Sequence, residues 1–124
     1  MQKTIESPDG KYRFTIKPIN KRRSLAIGKR FADLGIDFTA LGEGGQAKAN
    51  VEMMEKAFSL DEFGLKSCLV SWEIKVADGA YRTATEDDTR DLVEEMDWVV
   101  NWVIHQAKLF AEEEAKAYSI AKGN

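Results

Sequence analysis

The sequence predicts a mainly α, α+β domain: an N-terminal β-hairpin followed by three to five helices, the C-terminal one longest. Three observations lead there. Tyr12, Phe14 and Ile16 alternate with Arg13, Thr15 and Lys17 just after a Pro-Asp-Gly turn at residues 8–10, the period of a strand with one buried face. Apolar residues then recur at spacings of three and four in several segments, the period of helices packed on one side. Residues 86–122 run without a proline or glycine, so nothing local stops a helix there. At 124 residues, 44% apolar and 31% charged, the chain reads as one soluble globular domain over 1–124.

The elements follow in order. The hairpin spans about 3–17; Pro18 ends its second strand because proline has no N–H to give the ladder. A helix is expected over about 21–34, with Asn20 or Ser24 as its cap and Gly35 as its stop. Gly28 inside it costs about 1 kcal/mol against alanine, which a close packing contact would explain. Residues 36–45 form a loop whose glycines lack the spacing of a phosphate cradle. A second helix is expected over about 46–58, with Val51, Met54 and Phe58 near one face. Ser59 and Glu62 then match a capping box, which starts a third helix at about 60–71. Whether WEIKV at 72–76 ends that helix or forms a short strand is open. Ala77, Asp78 and Gly79 make a turn, and Thr85 stands three residues before Asp88 as another cap. Residues 86–122 are one long helix, or two broken near Met96 and Asp97, where Asp97 would cap again.

That last helix is apolar on more than one side. On a helical wheel Leu92, Met96, Val99, Val103, Ala107 and Phe110 form one stripe. Val100 and Ile104 widen it, and Trp98, Trp102 and Leu109 occupy a neighbouring arc. One core face needs a stripe of little more than 100°. The surplus arc is covered either within the domain or by a partner, for which aromatic side chains are favoured.

Candidate chemistry is thin. His105 has no carboxylate three or four residues away on its helix, so no metal pair or acid–base dyad forms locally. Cys68 reads as a small buried hydrophobe, and one cysteine gives neither a disulfide nor a cysteine metal cage. Asp87, Asp88 and Asp91 lack the alternation of a calcium loop. The expectation is no catalytic residue, no cofactor and no metal. No apolar stretch approaches a membrane span, and MQKTIESPDG lacks the apolar core of a secretory signal, so the chain reads as cytosolic.

Charge is uneven. The net charge is −3, yet residues 1–30 hold nine Lys/Arg against Glu6 and Asp9, while residues 31–124 hold nine against nineteen acids. The basic run Lys17, Lys21, Arg22, Arg23, Lys29 and Arg30 is a footprint for phosphate backbones, though no aromatic residue is interleaved with it. An acidic protein partner, including the acidic C-terminal helix of a second copy, fits it better. The candidate partner-binding residues are therefore Arg22, Arg23, Lys29, Arg30, Trp98, Trp102 and Leu109.

Three stretches carry a family likeness: YRFTIKPINKRRSLAIGKRF, CLVSWEIKVADG and TATEDDTRDLVEEMDWVVNWVIHQAKLFAEEE. A strand running through proline into a basic helix, a central Trp before a Asp-Gly turn, and a capped closing helix resemble the tail assembly chaperones of long-tailed bacteriophages. The resemblance implies a small, mainly helical, non-enzymatic protein of the host cytoplasm, not expected in the mature virion. It implies two partners, the tape measure protein and the major tail protein, and often a longer frameshifted product; a homo-oligomer is left open. A structural head–tail or tail subunit retained in the virion and a small nucleic-acid-binding regulator are the alternatives.

Overall fold

The structure is a computed structural model that describes residues 1–35 and 47–122; the expected loop at 36–45 lies outside the described residues. The chain is α+β, with the N-terminal hairpin and the longest helix at the C-terminus. Strands β1 (Lys3–Glu6) and β2 (Tyr12–Ile16) form the hairpin, and helices α1 (Lys21–Asp33) and α2 (Ala47–Cys68) follow. Strands β3 (Leu69–Lys75) and β4 (Tyr81–Thr83) come next, then helices α3 (Glu86–Glu95) and α4 (Asp97–Lys122).

The hairpin turns as the residues ask. Gly10 takes a φ of +73° that side chains avoid, and its N–H donates to the Ser7 carbonyl. The Ser7 hydroxyl donates to Asp9 and accepts from the Tyr12 N–H. That bond and the Lys11 N–H hold the Asp9 carboxyl below its usual range.

The hairpin is half of a larger sheet. The four strands lie in the order β1-β2-β3-β4, all antiparallel. The expected third helix at 60–71 is not a separate element. No proline or glycine lies between Ala47 and Ser59, so α2 runs through it, and the Ser59 hydroxyl accepts from Arg30 Nη2 at 3.3 Å instead of capping. At Leu69 the chain passes directly from α2 into β3, where Trp72 faces Phe14 and Ile74 faces Tyr12. Sheet pairing overrides the local helical pattern there. A turn at Ala77–Gly79 then returns the chain, with Asp78 and Gly79 both left-handed.

One sheet face holds the core. Phe14 and Trp72 stack with centroids 5.4 Å apart, and both are buried. Tyr12 meets the Trp72 edge at 5.9 Å, and Trp102 of α4 meets Phe14 at 6.3 Å. The buried indole N–H of Trp72 donates to Thr89 Oγ1 of α3 at 2.9 Å, as a buried donor must. Val99, Val100, Val103, Ala107 and Phe110 of α4 complete the core with Ile16, Leu65, Leu92 and Val93. The other sheet face is polar: Thr4 bonds Thr15, Arg13 pairs with Glu73 at 3.8 Å, and the Arg13 guanidinium lies 3.9 Å from the Tyr81 ring centre. This is an antiparallel sheet with one face wet.

Helix ends follow their caps. Asn20 caps α1 through the Arg23 N–H, and Gly35 follows its end with a φ of +60°. Thr85 and Asp88 make a reciprocal capping box on α3. The expected helix at 86–122 breaks at Met96, whose non-helical backbone ends α3 and whose carbonyl receives the Val99 N–H. Met96 occupies the junction, and Asp97 is the first residue of α4 instead of its cap. Among the described residues Gly28 has no close contact: a Cβ there would meet nothing within 4 Å. The close approach belongs to Gly64, where a Cβ would lie 3.1 Å from Ile104 Cδ1.

Replacing Phe14 by Ala should cost about 3–5 kcal/mol in urea unfolding. Arg13→Ala on the wet face should cost no more than about 1 kcal/mol in the same assay.

Candidate partner-binding surfaces

The structure divides the expected basic set. The Arg23 guanidinium turns inward to the Pro18 carbonyl, which braces the turn between β2 and α1. Arg30 reaches α2, bonding Ser59 and lying 5.9 Å over the Phe63 ring. Arg22 and Lys29 stay exposed. Two of the four basic residues thus serve the fold: α1 has no buried residue, Arg23 fixes its entry from β2 and Arg30 ties it to α2.

The tryptophan arc divides as well. Trp102 packs on the core through Phe14, and Leu109 is half-buried. Trp98, one turn earlier, is 49% exposed. Both arcs of α4 are used: Val99, Val103, Ala107 and Phe110 enter the core, Trp102 packs against it, and Trp98 is left to solvent. His105 is exposed. The Cys68 thiol is buried, and desolvation pushes its pKa up to about 11, so it is an inert core thiol at neutral pH.

The acids behave unlike one another. Arg82 grips Asp88 through two nitrogens at 2.8 and 3.1 Å. With the Thr85 N–H, it holds that carboxyl far below the usual range. Asp87 pairs with Arg90 at 3.6 Å. Among the described residues no three His, Cys, Asp or Glu side chains gather as a metal site, and no helix is long and apolar enough to cross a membrane.

Two features escaped the sequence reading. Asp61 of α2 shares a hydrogen bond with Asp97 in the first turn of α4, and burial, then that bond, push the Asp61 pKa up to about 6. No motif links residues 61 and 97; only the packing of α2 on α4 joins them. The second feature is an open groove of about 1140 Å³ between α1 and the C-terminal half of α4. Pro18, Ile19 and Leu25 line it on one side, Ala111, Ala115 and Tyr118 on the other. It takes in Arg22 but neither tryptophan, so the expected residues do not form one site.

No family model, curated protein or solved structure matches the chain. The surfaces are therefore read from their own chemistry. Large apolar side chains stand exposed mainly on the helices: Leu25 and Phe31 on α1, Val51, Met54 and Phe63 on α2, and Trp98, Tyr118 and Ile120 on α4, with Val70 on β3 and Val76 just after it. The wet sheet face offers chiefly hydroxyls and charges.

The Asp61 pair has a pH consequence. Its folded pKa lies above the ordinary value of 3.8, so its contribution is full below pH 4 and lost as pH rises through about 6. Asp61→Asn should flatten that window and raise stability at pH 7 by about 1 kcal/mol after allowance for solvent screening, measured as thermal unfolding against pH. An unchanged slope between pH 4 and 6 would show that the pair carries no such penalty.

Proposed function

We propose that this protein is a binding protein without catalytic activity, a tail assembly chaperone of a long-tailed bacteriophage working in the host cytoplasm. The observation that carries the reading is the exposed apolar set on α1, α2 and the start of α4, with Leu25 60% and Trp98 49% exposed. A chaperone needs apolar surface that stays soluble alone yet covers a partner's own apolar face. Flanking charges serve solubility here: Arg22 and Lys29 stand exposed on α1, and Glu52 and Glu55 on α2.

The partner implied by the family resemblance, a long tape measure protein, would offer helices with apolar faces. Such a helix is recognised by anchors at helical spacing laid against an apolar surface, and Val51 and Met54 are spaced that way. Recruitment of the major tail protein belongs to the same proposal. The nucleic-acid alternative draws less support, because Arg23 and Arg30 are spent on Pro18, Ser59 and Phe63, leaving fewer cations for phosphates.

Co-expression with the tape measure protein should raise that protein's soluble fraction. Combining Met54→Ala with Trp98→Ala should remove most of the gain while leaving the melting temperature within a few degrees, since both side chains are exposed and surface substitutions cost about 0.5 kcal/mol or less. No gain in solubility, or abundant protein in purified virions, would overturn the reading.

A further inference from the structure

The groove between α1 and α4 has walls of opposite charge. Lys21 and Arg22 stand on its α1 side, and Glu112 and Glu114 on its α4 side, with Lys108 the one cation of that second wall. None of the first four makes an ion pair among the described residues. Their neighbour Glu113 does, reaching Lys3 of β1 at 3.4 Å. The charges facing the groove are thus left over from a helix whose adjacent acid is already paired.

Glu114 adds a second sign. Its Oε1 is sealed from solvent and has no hydrogen-bond partner among the described residues. A carboxylate oxygen held that way costs stability until a donor reaches it. The residue as a whole is only half-buried, so a side-chain rotation presents the carboxylate to the groove without moving α4. The rest of the lining is largely apolar, with Pro18, Ile19, Leu25, Ala111 and Ala115, and Leu25 is 60% exposed.

We infer that this groove is the contact between two copies of the chain. Under a two-fold axis each wall meets the opposite wall of its partner, so Lys21 and Arg22 of one copy face Glu112 and Glu114 of the other, twice over. A surface with one basic and one acidic wall is complementary to itself in that arrangement. A partner of a single charge sign would satisfy one wall and repel the other. The apolar floor supplies area, while the charges set register and orientation. The contact shares Leu25 with the proposed partner surface but includes neither Trp98 nor Met54, the two residues removed in the solubility test, so each reading can fail without the other.

Charge reversal on the full-length protein tests this directly. The wild type should sediment as a concentration-dependent dimer that weakens with added salt. The exposed pair Lys21→Glu with Arg22→Glu should raise the dimer dissociation constant by roughly tenfold or more, as should Glu112→Lys with Glu114→Lys. Circular dichroism should show both variants folded, and the first pair touches no packed residue, so its result stands even if the second misfolds. Mixed together, the two variants should form a heterodimer, because each acidic α1 wall then meets a basic α4 wall. A wild type that stays monomeric, dimers indifferent to either reversal, or folded variants that fail to pair on mixing would each overturn the inference.

Discussion

The stacking of Phe14 on Trp72 is the constraint on which the rest of this fold depends. The two rings face each other across β2 and β3, joined only through α1 and α2 and the chain between them. Closing a loop of that length costs roughly 4 kcal/mol in the length-dependent term. Burial of two aromatic rings at about 2–3 kcal/mol each offsets it. Once the pair forms, the register of β3 is set, because a one-residue slip would turn both Trp72 and Ile74 to the wet face. Trp72 then reaches Thr89 and so places α3, while Phe14 receives Trp102 and so places α4.

The helices do not share that security equally. α4 gives the core five buried side chains, whereas α1 gives none and is tied by two arginines, a cap and the Ile27 contact. Low local burial goes with low local stability. The peripheral helix is also the one that exposes Leu25, Lys21 and Arg22, so part of the proposed contact surface sits on a weakly anchored element. An element that carries little of the core is free to be shaped by what it meets.

Side-chain carboxyls meet three different fates here. Asp88 is stabilised as an anion by Arg82 and a helix N-terminus, Asp61 is pushed toward its neutral form by burial and Asp97, and Glu114 keeps an oxygen without a donor. Their differences come from neighbours brought by folding. The acidic totals of the chain describe its solubility, and they leave the fate of each carboxylate undecided.

Some of this is local and was therefore legible in the residues. The hairpin with its inward Tyr12, Phe14 and Ile16, the caps at Asn20 and Thr85, the Gly35 stop and the long apolar closing helix follow from period and turn chemistry within a few positions. The strand character of Leu69–Lys75 was only half legible, WEIKV being left open between helix end and strand, because it depends on pairing with β2 nearly 60 residues earlier. Nor was the fate of Ser59, whose capping pattern lost to continuous helix packing. The candidate site divided along the same line. Composition and charge marked α1 and α4 as the places of interest, but the assignment of Arg23 and Arg30 to the fold, of Trp102 to the core and of Trp98 to solvent came only from packing. So did the meeting of Lys21 and Arg22 with Glu112 and Glu114 across one groove, since about 90 residues separate those walls in the chain and proximity between helices is a property of the tertiary structure alone.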